Sequence, residues 1–322
     1  MASSQDTVSG SQSVGSGAER DWRTKLRVYS KSDFVRSFPF WFIPFSIMGL
    51  GVYGGIGYNT LISLTDYEGF GEGPDFSLGN LDLDMYVQAM NDPWVWTTGK
   101  NTFVLLIVFT TVTMLLGLFL AIMLDRGIRF KEQIQTVYLL PMALSFVVTA
   151  QFWLWMYNVN NGLVNIILGV FGLGPFNWIG NPELVLGAVI FALIWQFSGY
   201  AMVVFLAGLQ SIPDDQFEAA QVDGANIFKT YWRVIIPQLK SSSVSAAVIL
   251  VIFALKAFTF LFSMFGQYRV PKATDILATL MVREAFKLQN WAYAAAIATI
   301  LLLMALAVIA PYLHYQHKQG SL

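Results

Sequence analysis

The sequence predicts an all-α integral membrane protein with six transmembrane helices and both termini cytoplasmic. Three observations carry that expectation. Of 322 residues, 56% are hydrophobic and 12% charged, against about 25% charged in typical soluble domains. Six apolar stretches are each long enough to cross roughly 30 Å of hydrocarbon. Lysine and arginine gather on alternate loops, as the positive-inside rule requires. The same composition excludes other classes. A net charge of −1 gives no electrostatic case for nucleic acid. The absence of cysteine removes disulfides and thiolate metal sites. His314 and His317 both fall in the C-terminal tail, so neither a metal nor a histidine-based catalytic centre is expected.

Residues 1–19 are rich in Ser, Gly and Gln and nearly devoid of large apolar side chains, a composition that cannot bury enough surface to order itself. No apolar core follows a basic start, so this is not a signal peptide. Arg20, Arg23, Lys25, Arg27, Lys31 and Arg36 form a basic collar that closes an expected tail over 1–36. The expected spans run Phe40–Leu64, Thr102–Leu124, Ile134–Met156, Leu184–Leu209, Val244–Gly266 and Trp291–Leu313. Gly49, Gly51, Gly54, Gly55 and Gly57 suggest that the first is closely packable or partly broken. Pro141 and Pro311 predict kinks in the third and sixth, which neighbouring helices can accommodate.

Loop charge sets the orientation. The collar, then Arg126, Arg129 and Lys131, then Lys229, Arg233 and Lys240, and finally Lys318 all fall on one side. The opposite side has Lys100 against Asp66, Glu68, Glu72, Asp75, Asp82, Asp84 and Asp92, and no Lys or Arg between Tyr157 and Glu183. One loop dissents, with Arg269, Lys272, Arg283 and Lys287 on the outer side.

Between the fourth and fifth spans lies a polar interruption that is not a linker. Pro213 suits a first helical position, and Asp214 and Asp215 suit the positive end of a helix dipole. Gly224 breaks this helix, and Ala225–Ile235 reads as a second, with Ile227, Phe228, Tyr231, Val234 and Ile235 at three- and four-residue spacing. The run Glu218-Ala219-Ala220, Gly224 and, after nine residues, Val234-Ile235-Ile236-Pro237 resembles the EAA loop of ABC importer permeases. Its two departures, Val for Ile and Ile for Leu, conserve volume. Asn158–Asn165, Asn177–Pro182 and Trp195–Tyr200 look like the short interfacial segment and following helix of carbohydrate-type permeases. The chain is thus similar to the maltose-type sugar permeases over about 36–318, departing after the fifth span, where many relatives have Gly-Gly-Pro and this chain has Gly266–Pro271.

That resemblance implies a MetI-like permease domain over 37–318 with coupling helices at 213–237. Glu218, Ala219, Ala220, Asp223, Gly224, Phe228 and Pro237 are then the residues that dock on an ATPase subunit. It further implies a second permease (most simply a heterodimer), two ATPase subunits that bind ATP and Mg²⁺, an extracytoplasmic solute-binding protein, and a multi-pass place in the cell membrane. This chain has no nucleotide-binding glycine loop, needs no cofactor of its own and is not expected to be an enzyme. For a substrate pathway the candidates are Gln196 and Tyr200, one helical turn apart, and Lys256 and Thr259 on the next span. Tyr200 matches a sugar-contacting tyrosine of the maltose-type permeases. Lys256, an ionisable group inside a span, reads either as a structural lysine or as a pathway residue. Trp195 and Phe258 offer apolar faces of the kind that pack on sugars. Three substrate readings follow: a sugar importer, an ABC permease for an anion such as a glycerol-phosphate or an amino acid, and a secondary transporter. The absence of acidic residues inside the spans argues against the last.

Overall fold

In hydrocarbon no water satisfies a backbone N–H or C=O, so an apolar run closes its hydrogen bonds internally as a helix. The computed structural model describes residues 33–318 apart from 70–72, 78, 126–128, 267 and 269. The expected N-terminal tail with its basic residues up to Lys31, and Glu72, Arg126 and Arg269, lie outside the described residues. No β-strand occurs among those described. Two compact units are present, Met1–Tyr58 and Asn59–Leu322.

The described part of the first unit is helix α1 (Asp33–Ile62), which ends in the second. It is unbroken through Pro39, Pro44 and the glycine run, so of the two expected alternatives the partly broken helix is not the one seen. A Cβ built at Gly49, Gly51, Gly54, Gly55 or Gly57 meets nothing within 4 Å. Its N-terminal turns are aromatic, with Phe38 stacked on Phe42 at 4.5 Å.

In the second unit, α2 (Asp84–Asn91) leads into α3 (Pro93–Asp125), which begins nine residues before the expected Thr102. The early start is local chemistry: Pro93 opens the helix, and Asp92 Oδ1 accepts from the Trp94 backbone N–H at 2.7 Å. The third apolar stretch is no single helix. α4 (Lys131–Leu139) passes into a 3₁₀ turn (Leu140–Ala143), and α5 (Phe146–Met156) then departs at 100°. Pro141 lacks the N–H that would continue the ladder, Leu144 is extended, and Ser145 starts afresh by capping α5 through Val148 N. The expected kink is therefore a full break. α6 (Leu163–Val170) follows, then α7 (Val185–Gln210), which matches the expected fourth span to within one residue.

α7 is the axis of this unit and is buried over most of its length. Two glycines make that possible. A Cβ at Gly117 of α3 would lie 2.4 Å from the Ala201 Cβ, and one at Gly199 would lie 2.0 Å from the Tyr138 carbonyl oxygen. Phe109, Phe146 and Phe253 then converge on Phe197, with ring centroids 4.4–5.9 Å away.

After α7 come α8 (Asp215–Val222), α9 (Ile227–Thr230), a π turn (Tyr231–Ile235), a 3₁₀ turn (Ile236–Leu239) and α10 (Lys240–Leu255). From Ile227 onward this is one apolar helical path reaching Phe265, with no loop before the expected fifth span. That span is itself interrupted at Lys256 and Ala257 before α11 (Phe258–Phe265). The expected outer loop beyond it holds a buried helix, α12 (Leu277–Arg283), then a π turn (Glu284–Leu288). α13 (Trp291–Lys318) continues through Pro311 as one helix. Among the described residues four helices are long and apolar enough to cross a membrane, five if the bent pair counts as one span, with a further apolar run over Trp291–Ala307.

Candidate functional site

The polar interruption at 213–237 folds as two short helices around an elbow. Gly224 holds φ +74° and terminates α8, with Gly224 N–H donating to Gln221 O and Ala225 N–H to Ala220 O, each at 3.0 Å. Asn226 restarts the chain, its Oδ1 accepting from Lys229 N–H at 2.9 Å. Pro213 stands just ahead of the helix, with Asp214 as its N-cap.

The helical path that follows sorts its apolar residues onto two sides, where the sequence pattern had put them on one. Tyr231, Ile235 and Leu239 are buried in a cluster with Ala121 and Leu124 of α3 and Met202, Phe205, Leu206 and Leu209 of α7. Phe217 of α8 packs edge-on to Tyr231 at 5.9 Å, and the Tyr231 hydroxyl donates to Asp125 Oδ2 at 3.0 Å. Ile227 and Phe228, in the first turn ahead of the π turn, are exposed instead. Phe228 (74% exposed) stacks in parallel with Trp232 (65%), and Val222 of α8 is 87% exposed. Of the expected docking residues, Glu218, Ala219, Asp223, Gly224 and Pro237 are also exposed, while Ala220 is buried. Val222, Trp232 and the Tyr231–Asp125 bond were missed in the sequence. The four-residue spacing of Phe228 and Trp232 was the available signal.

This element therefore has an inner face fixed to α3 and α7 and an outer apolar face with nothing on it. Exposed apolar patches of this kind mark contacts with another protein or with the membrane. Beside it, a cleft of about 980 Å³ runs between Asp125, Gln210, Asp214, Gln221 and Thr230.

The pathway candidates are placed unequally. Gln196 is 2% exposed, and its Nε2 donates to Leu144 O at 2.9 Å, satisfying a carbonyl freed at the α4/α5 break. Its Oε1 has no hydrogen-bond partner. Tyr200 is half-buried against the main core cluster. Lys256 is exposed where α10 ends, not deep in a continuous helix, and Thr259 is exposed on α11. Phe197–Phe253 stacking joins α7 and α10 between the levels of these residues. Trp195 lies flat on Phe152 at 5.6 Å, so one of its faces is occupied, and Phe258 meets Phe262 at 5.0 Å.

At the opposite end of α3, the described cations of the dissenting basic loop are engaged within the fold, Arg283 in an ion pair. Asp275 is fully buried: its Oδ2 accepts from Arg283 at 2.8 Å and from Trp94 Nε1 at 2.7 Å, and its Oδ1 accepts from the Thr279 hydroxyl at 2.6 Å. Lys272 and Arg283 lie over the Trp94 ring at 5.0 and 5.3 Å. Asn101 Nδ2 donates to the Lys272 and Asp275 carbonyls, and Leu277 N–H to the Thr102 hydroxyl. Lys272 and Arg283 thus have structural partners, which loop charge alone does not reveal.

Next to this network, burial pushes the Glu284 carboxyl above its ordinary range; Arg283 opposes the shift, and Asp92 and Asp275 add to it. A carboxyl raised in the folded state contributes stability that is complete below its unfolded value of 4.5 and is lost as pH rises through the folded value. Glu284→Gln is therefore expected to raise the Tm at neutral pH and to leave it unchanged below pH 4.5. A Tm gain of equal size at both pH values would contradict this.

Residues 113–319 match the family model described as "binding-protein-dependent transport system inner membrane component". The chain is 64% identical over 301 residues to a xylose/arabinose import permease protein of Haloferax volcanii, covering 94% of each. It is 28% identical over 231 residues to a trehalose/maltose transport system permease protein of Thermococcus litoralis, covering 72% of this chain and 78% of that one. In fold it is similar to a chain of a bacterial ABC transporter involved in import of the acidic polysaccharide alginate. There the TM-score is 0.72 at 21% identity, covering 91% of this chain and 99% of that one.

Proposed function

Since the chain belongs to the binding-protein-dependent transport system inner membrane component family, we propose that it is a permease subunit of an ATP-driven importer that carries a sugar, a pentose such as xylose or arabinose being the nearest reading. The observation that carries the transport role is the two-faced element at 213–237, welded inward through Tyr231 to α3 and bare outward at Val222, Phe228 and Trp232. The sugar reading is supported by the names of the relatives. In this reading the outer face seats on an ATPase subunit, with Glu218, Ala219, Asp223, Gly224, Phe228 and Pro237 around it. Two such ATPases bind ATP and Mg²⁺, a second permease completes the pathway, and a binding protein delivers the solute on the far side. Closure of the ATPases is passed along the element to α3 and α7, which alternates access. The chain is proposed to cross the cell membrane six times with both termini cytoplasmic. Cysteine at Ser77 should then react with an impermeant reagent in intact cells, and cysteine at Ser241 only after permeabilisation; equal reaction of both in intact cells would sink that topology.

Tyr200, Lys256 and Thr259 are proposed to line the pathway, with Gln196 in the wall behind them. The test is uptake of labelled pentose into vesicles holding the complete importer. Tyr200→Phe is expected to lower uptake by about tenfold, the effect of one unmatched buried hydroxyl at about 1.4 kcal/mol. Lys256→Met is expected to cost no more than that. Near-complete loss in Lys256→Met, together with competition by an anionic solute, would replace the sugar reading with the anion one.

A further inference from the structure

The segment between α5 and α7 carries no charge and presents an exposed apolar surface beside its polar residues. Residues 158–182 contain no Asp, Glu, Lys or Arg. Their polar centre points inward: Asn165 is 7% exposed, its Nδ2 donates to Val159 O and Phe176 O at 3.2 and 2.9 Å, and its Oδ1 accepts from Phe176 N–H and Trp178 Nε1 at 3.1 and 2.9 Å. Their apolar side chains point outward, with Ile166, Ile167, Val170 and Phe171 all exposed. Asn158, Asn160, Asn161 and Asn177 are exposed as well, so the segment presents an uncharged polar side and an apolar side together, as suits a membrane interface.

Between this segment and the start of α7 runs a cleft of about 400 Å³, walled by Tyr157, Leu168, Trp178, Gly187, Ala188 and Phe191, with Glu183 exposed at its rim. The two polar groups in the wall already have partners: the Tyr157 hydroxyl donates to Ala188 O at 2.9 Å, and Trp178 Nε1 donates to Asn165. Such a wall offers a ligand burial and dispersion but no hydrogen bond. Phe191, itself 56% exposed, carries the cleft out onto the apolar surface of α7, edge-on to Trp153 of α5 at 5.4 Å. A polar rim, which a soluble protein partner would find at an interface, is represented by Glu183 alone.

We infer that this cleft holds one hydrocarbon chain of a membrane lipid, with the segment 158–182 lying in the membrane interface above it. The inference rests on the membrane placement proposed above, but its test does not rely on transport. Gly187 is the handle, since a Cβ there meets nothing within 4 Å and a larger side chain fills the cleft without strain. In native mass spectra of the importer purified in mild detergent, the parent and Gly187→Ala should each retain one phospholipid more per copy of this chain than Gly187→Leu. Independently, the chain has no cysteine, so in an importer whose other subunits have been made cysteine-free a bimane on Gly187→Cys reports the site alone. It should be quenched by phosphatidylcholine brominated in its chains and not by aqueous iodide. Equal lipid numbers in parent and Gly187→Leu overturn the inference, as does iodide quenching without bromine quenching. Loss of the second permease from Gly187→Leu at constant lipid number overturns it too, and assigns the cleft to a protein contact.

Discussion

Gly224→Ile lowers uptake at least tenfold while leaving the chain inserted in the membrane and normally abundant. At φ +74° a side chain costs about 1–2 kcal/mol, more when β-branched, and 1.4 kcal/mol is a factor of ten in an equilibrium. No clash contributes, because a Cβ here meets nothing within 4 Å. The strain is relieved only by rotating the backbone, which breaks the bonds from Gly224 and Ala225 back to α8 and re-aims Val222 relative to Phe228. The outer face loses its shape while Tyr231 keeps the inner face attached. Gly224→Asn separates backbone from side chain, since Asn tolerates the left-handed region, and it should transport nearly as the parent does. ATPase stimulation and uptake in Gly224→Ile at parental levels would mean that this elbow is not part of the coupling contact.

Asp275→Ala is the change expected to cost most in stability. It strips a fully buried carboxylate from Arg283, whose side chain is only 14% exposed, and leaves the Trp94 N–H without its acceptor and the Thr279 O–H with the Ile276 carbonyl alone. Removing one member of a buried pair costs about 3–5 kcal/mol, because the other charge remains buried and unmatched. The Tm of the purified chain should fall steeply, and α12 should become open to proteolysis before α7. Asp275→Leu combined with Arg283→Leu should recover much of the loss, since neither charge is then left alone. A double variant no better than Asp275→Ala would mean that the carboxylate acts through Trp94 and Thr279, not through the ion pair.

These two sites differ in how far the sequence disclosed them. Gly224 was legible because its meaning is local: a glycine elbow between two short helices, framed by Glu218-Ala219-Ala220 and Pro237. The α7 boundaries were legible for the same reason, an apolar run ended by Gln210, Ser211 and Pro213. Asp275 was not, because its partner Trp94 is 181 positions away and Lys272 and Arg283 read as ordinary loop charge. Tyr231 and Asp125, 106 positions apart, were hidden likewise. Pro141 announced a disturbance, but its 100° size depends on Gln196 accepting the role of partner to Leu144 O and on Gly199 letting Tyr138 approach. The helix break beside Lys256 was not legible because hydropathy over Val244–Gly266 does not register an interruption at Leu255.

The path from Ile227 to Leu255 has no loop in it, and this has a mechanical consequence. At 1.5 Å per residue it is a bar of roughly 40 Å, pivoting where Tyr231, Ile235 and Leu239 are clamped near one end. The short arm carries Phe228, and the long arm ends at Lys256. A bar held so close to its driven end magnifies: a tilt of about 5° imposed through Phe228 swings the far tip by about 3 Å, on the dimensions of an α-helix. Small strokes at the Phe228 end are thereby geared up to displacements at Lys256 comparable with the width of a hydroxyl group, and any flexible insertion between Leu239 and Leu255 would dissipate the stroke before it arrived.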